Sequence, residues 1–166
     1  MKTTYTRKQL EDLLDGKLNF QDLHGMMSHF KDPDRFERMV EILQDRMPWD
    51  DTILLPYGIH LYIVQKADGA RVVKCDCGHE FGDYTLNWKL SANIYVRDSE
   101  ESFQEIYPEM MHGMPGWMEL REFYCPGCAA LLEIDAVPPG YPIVFDFLPD
   151  LETFYADWLG KELPRA

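Results

Sequence analysis

All four cysteines of this chain fall in two tight pairs, Cys75-Asp76-Cys77 and Cys125-Pro126-Gly127-Cys128. Close thiol pairs do one of two kinds of chemistry: they hold a metal ion, or they exchange electrons as a dithiol. Zinc in a structural site takes four ligands in a tetrahedron, and two pairs supply them when two tight turns aim their sulfurs at one point. The neighbouring residues suit such turns, since Gly78 follows the first pair, Gly127 lies within the second and Pro126 stiffens it. Cys75, Cys77, Cys125 and Cys128 are therefore the expected zinc ligands. The first pair is spaced more tightly than usual, and His79 could replace Cys75 or Cys77 to give a three-cysteine, one-histidine site. Spacing alone leaves that alternative open.

Four protein ligands fill a tetrahedral site and leave no position for water, so the expected role of the zinc is structural. The rival chemistry makes CPGC a catalytic dithiol. Such a pair usually opens a helix after a strand and needs no second pair, which weighs against it here. Met110, Met111, Met114 and Met118 around His112 offer soft ligands for copper(I). Flexible methionines are commoner at packing surfaces, and the expectation is a partner-facing loop shaped by Pro115, Gly116 and Trp117. His24, His29 and His60 lie on or near apolar stripes and read as packing residues. Glu100, Glu101, Glu105 and Glu109 read as a solvated face, or as a match for a basic patch on a partner. The sequence has no Gly-rich phosphate loop, serine elbow or histidine-carboxylate metal motif, so no catalytic or cofactor-binding residue is assigned.

The cysteines need elements that bring them together. Thr6 with Gln9 forms a capping box before Leu10, Leu13, Leu14 and Leu18, and Asn19 caps a second run through Phe20, Leu23, Met27 and Phe30. Asp32-Pro33 opens a third helix, with the stripe Phe36, Met39, Val40, Leu43 and Met47 ending at Pro48. The period then changes. Ile59 to Lys66, a turn at Asp68-Gly69 and a return over Arg71 to Lys74 predict a hairpin that runs into Cys75. Met118 to Tyr124 and Ala129 to Val137 predict a second hairpin with CPGC as its bend. Prolines 138, 139 and 142 break the pattern, Ile143 to Phe147 reads as extended, and Asp150 to Leu159 as a short helix.

The expected fold class is α+β, one compact unit in three segments. An N-terminal helical segment covers 1–56, a small antiparallel zinc-ribbon-like β unit 57–137, and a C-terminal aromatic tail 138–166. Phe147, Phe154, Tyr155 and Trp158 are too many large apolar groups for a free end, so the tail should pack on its own domain or on a partner.

Length and composition fit this picture: 166 residues, 46% hydrophobic and 13% aromatic, suffice for one packed core. The 29 acidic and 16 basic residues give a net charge of −13, which repels phosphate backbones and anionic lipid and argues against a nucleic-acid or membrane partner. Residues 98 to 122 hold seven acids and one base, whereas 57 to 97 hold four acids and five bases, so the cysteine segment is not the solvating part. No apolar run approaches the roughly 18 residues of a membrane span, and MKTTYTRKQLEDLLDG lacks a signal-peptide core. The expected compartment is the cytoplasm, where paired cysteines are metal ligands or redox groups more often than disulfides.

Two runs, VVKCDCGHEFGDYTLNWK from Val72 to Lys89 and REFYCPGCAALLEID from Arg121 to Asp135, together with the helical start and aromatic end, make the whole chain resemble the acetone carboxylase gamma subunit family. That resemblance implies a heterohexamer of two alpha, two beta and two gamma chains that carboxylates acetone with bicarbonate to acetoacetate, hydrolysing ATP to AMP and two phosphates. It implies zinc on the gamma chain, with ATP and manganese handled by the larger subunits. Acetophenone carboxylases carry a similar small subunit, so these residues do not set the ketone. A free-standing zinc-ribbon interaction module is the rival reading from another class.

Overall fold

The computed structural model describes residues 5–30, 32–107 and 111–164, and it has the α+β architecture. Three helices lead the chain: α1 (Arg7–Leu14), α2 (Phe20–Ser28) and α3 (Arg35–Arg46). Thr6 and Gln9 form the reciprocal capping box, and Asn19 accepts from the Asp22 amide, as their side-chain chemistry dictates. The third start lies later than the sequence suggests. Asp34 occupies the cap position, while the Asp32 carboxylate lies 3.8 Å from the Arg35 guanidinium and its carbonyl accepts from the Arg35 amide. The second helix buries Met26, not the expected stripe, and leaves Phe20, Met27 and Phe30 exposed. His24 and His29 are likewise exposed, so neither is the packing residue it was expected to be.

Strands β1 (Thr52–Gly58), β2 (Leu61–Gln65), β3 (Arg71–Cys75) and β4 (Glu80–Asp83) form an antiparallel sheet in that order. The β2–β3 turn is the expected one, with Gly69 at φ +87° and the Lys66 amide bonded to the Ala70 carbonyl. The strand β1 replaces what the sequence presents as the end of the helical segment. Pro56 hides it from a sequence reading, yet β1 is an edge strand whose register shifts at Pro56–Gly58, and there a proline is tolerated. Ile59 and His60 form the β1–β2 turn, which starts β2 two residues later than expected.

The chain passes a 3₁₀ turn (Trp88–Ser91), β5 (Asn93–Arg97) and α4 (Glu100–Gln104), then enters β6 (Glu119–Tyr124) and β7 (Leu131–Val137). These three strands make a second antiparallel sheet with β6 central. A helical turn α5 (Leu151–Thr153) continues as a π turn over Phe154–Trp158.

Alternation along β2 explains how these layers join. Leu61 and Ile63 point into a core shared with Val73, Phe81, Trp88, Phe123, Leu132 and the tail residues Leu151, Tyr155 and Leu163. Tyr62 and Val64 face the other way, onto Leu43, Val40, Met47 and Leu14 of the helices. The first sheet is thus covered on both faces, and every residue of β2 is buried. Trp88 stands edge-on to both Phe81 and Phe123, at 5.7 and 6.1 Å between ring centroids. The tail packs on its own domain, where the Tyr155 hydroxyl donates to the Leu54 carbonyl at 2.8 Å.

Candidate metal centre

Each cysteine pair occupies the bend of a hairpin. At the β3–β4 bend the Cys75 amide donates to the His79 carbonyl, and the Gly78 amide to the Cys75 carbonyl, with Gly78 at φ +95°. The β6–β7 bend repeats this arrangement: the Cys125 amide donates to the Ala130 carbonyl and the Ala129 amide to the Cys125 carbonyl, with Ala129 at φ +59°. A residue in the left-handed region follows the last cysteine of both pairs, and it turns each backbone back beneath its sulfurs. The Gly127 amide also lies 3.4 Å from Cys125 Sγ, in position to donate to it.

The two bends face each other. Cys75 Sγ is 3.8 Å from Cys128 Sγ, Cys77 Sγ is 3.7 Å from Cys125 Sγ, and all four sulfurs lie within 4.8 Å of one another. A zinc-thiolate tetrahedron with bonds of about 2.3 Å has edges of about 3.8 Å, so two of the sulfur pairs already stand at that spacing and the whole set is close enough to share one ion. All four cysteines are free thiols. Cys75 and Cys125 are buried, whereas Cys77 and Cys128 reach the surface. Burial pushes the Cys75 thiol well above its ordinary value, the Cys77 backbone amide pulls it partly back, and the neighbouring thiols of Cys125 and Cys77 push it up again. The adjacent Lys74 ammonium is held by Asp51 and Glu80. That environment is the opposite of one that activates a thiol for exchange, and a divalent cation supplies the charge that four thiolates lack.

The group of four excludes His79. Its ring lies edge-on to Phe81 at 5.0 Å. A Cβ on Gly127 would come within 2.9 Å of the His79 Cβ and 3.2 Å of Cys77 Sγ, so glycine is what lets the two bends approach.

The His112 ring is engaged at both nitrogens, by the Gly113 carbonyl at 2.8 Å and Glu100 at 3.0 Å, and stacks on Phe103. Met111, Met114 and Trp117 are exposed, while Met110 and Glu109 lie outside the described residues. Glu105 pairs with Arg97 at 2.6 Å, so the acidic stretch is not solely a solvated face. His60 bonds Asp76 at 2.5 Å and is a partly exposed turn residue.

A sequence reading misses a second polar cluster. Lys89, 1% exposed, directs its ammonium at Glu133 (2.9 Å), Asp135 (2.8 Å) and Asp146. The three carboxylates converge closely enough to hold a cation, and the lysine already provides it. Arg97 and Glu122 form another buried pair at 2.7 Å, with Tyr124 donating to the same carboxylate. Neither cluster has a local sequence signal, because their members lie far apart in the chain. No helix among the described residues is long and apolar enough to cross a membrane.

Fold and site together define a small α+β protein with a two-hairpin, four-cysteine centre suited to a metal ion. The family profile "Acetone carboxylase gamma subunit" matches residues 47–159. Over 162 residues the chain is 50% identical to the acetone carboxylase gamma subunit of Xanthobacter autotrophicus, spanning 97% of this chain and 96% of that one. It is also 42% identical over 83 residues to the acetophenone carboxylase beta subunit of Aromatoleum aromaticum, spanning 49% of this chain and 64% of that one. The chain belongs to the acetone carboxylase gamma subunit family.

Proposed function

We propose that this chain is the zinc-binding accessory subunit of a cytoplasmic, ATP-dependent acetone carboxylase that converts acetone and bicarbonate to acetoacetate. It assembles with two kinds of larger chain, alpha and beta, two copies of each of the three. ATP and manganese are handled by the larger chains, and no residue of this chain takes part in bond making. The observation that carries the reading is the sulfur geometry in a chain of this family: four thiols within 4.8 Å of one another, two of their pairs at the edge length of a zinc-thiolate tetrahedron, with no further ligand in the group among the described residues.

Cys75 and Cys77 from one sheet and Cys125 and Cys128 from the other are the proposed zinc ligands. Bound zinc locks the two hairpin tips together, and the N-terminal helices and aromatic tail, carried on that frame, clamp the larger chains. The test is assembly of a zinc-free variant. Cys128→Ser co-expressed with the larger chains should lose zinc and yield a complex depleted in this subunit; a zinc-free variant that assembles normally overturns the clamp.

A further inference from the structure

The C-terminal helical turns lie against the edge strand β1 without closing over it. Between them runs a groove of about 380 Å³, floored by Leu55 and Pro56 and walled by Phe147, Phe154 and Trp158, with Asp150 at its rim. Trp158 is 78% and Phe147 59% exposed, although Tyr155 on the same turns is buried in the core. Tryptophan is enriched among the residues that anchor interfaces, because its burial in a complex removes a large apolar area from water at little entropic cost.

Charge selects the occupant. Asp150 lines the groove, where its carboxylate also caps α5 through the Thr153 amide and hydroxyl, and Asp157 is exposed beside Trp158 in the sequence, whereas Asp146 is already matched by Lys89. The basic groups close by are already engaged, Arg71 with Glu152 and Lys161 with Glu37. A second copy would bring an acidic rim against an acidic rim on a chain of net charge −13. We infer that this groove docks a short segment of a larger carboxylase subunit, one that presents an aromatic or branched aliphatic side chain flanked by lysine or arginine. The inference rests on the accessory-subunit reading and adds to it the surface and the chemistry of the contact.

The experiment uses the assembled complex, co-expressed with wild-type, Trp158→Ala or Asp157→Lys forms of this chain. Dilution series followed by mass photometry, at low and high salt, give the concentration at which this subunit dissociates. Trp158→Ala should raise that concentration about 30-fold, with zinc content and circular dichroism unchanged. Asp157→Lys should raise it several-fold at low salt and flatten its salt dependence. Should Trp158→Ala disturb the fold, Asp157→Lys, an exposed surface change, decides alone. Variants that dissociate like the wild type overturn the groove while leaving the accessory role intact. Wild-type protein that never joins the larger chains overturns the accessory role itself. Self-association of the isolated chain that Trp158→Ala abolishes assigns the groove to a second copy, against the inference.

Discussion

Cys75 Sγ and Cys128 Sγ lie 3.8 Å apart although 53 residues separate them in the chain. One belongs to the hairpin of the four-stranded sheet and the other to that of the three-stranded sheet. The close sulfur contacts run between hairpins, so a bound ion acts as a cross-link between the two halves of the β structure.

Loss of that cross-link should cost stability throughout the β structure. Chelation, or Cys125→Ser, should destabilise the protein by on the order of 5 kcal/mol or more. Thermal melts with and without added zinc check this. Equal melts would mean that the hairpins hold without the ion.

The approach of the two bends depends on Gly127. Gly127→Ala should force its new methyl group against the His79 Cβ and Cys77 Sγ. The expected effect is about tenfold weaker zinc binding and about 1–2 kcal/mol of lost stability. Competition with a chromogenic chelator measures the first effect and denaturant unfolding the second.

Ala129 adopts a left-handed conformation that costs an L-residue energy and glycine little. Ala129→Gly should therefore stabilise the protein by about 0.5 kcal/mol, visible as a raised urea midpoint at unchanged slope. A lowered midpoint would show that the methyl group makes contacts worth more than the strain.

Lys89 is a buried positive charge matched to three carboxylates from β7 and the segment after it. Lys89→Met should leave those carboxylates facing one another, at a cost of about 3–5 kcal/mol near neutral pH. Thermal melts of the two proteins near neutral pH check this, and equal melts would show that the lysine is not needed to hold the cluster.

Glu122 is held below the ordinary carboxylate range by Arg97 and Tyr124, against the upward push of burial. A depressed carboxylate contributes stability above its unfolded value, about 4.3, and loses that contribution as pH falls through the lower folded value. Acid unfolding below about pH 4 should be less steep in Glu122→Gln, which should also be about 2–4 kcal/mol less stable at neutral pH. Matching acid slopes would remove Glu122 from the acid response.

The parts of the fold legible in sequence are those set by local chemistry. The Thr6 box, the Asn19 cap and the Asp68-Gly69 turn follow from side chains that satisfy neighbouring backbone groups, and both cysteine bends close through local backbone hydrogen bonds. The strand β1 was hidden because Pro56 signals a break, and only its edge position and shifted register accommodate it. The true face of α2 was hidden because Phe20, Met27 and Phe30 are as apolar as Met26, and burial there is decided by packing against the rest of the chain. The sulfur meeting was foreseeable from count and spacing. The Lys89 cluster was not, since its members come from residues 89, 133, 135 and 146 and converge only in three dimensions.

The central claim is that zinc on this chain frames an accessory subunit of a larger carboxylase. Its most direct test is a native mass spectrum of the tagged chain, purified gently from its own cells. The account predicts co-isolation with two larger chains and one zinc per copy of this one. A metal-free chain, or a lone zinc-bearing monomer with no companions, would contradict it.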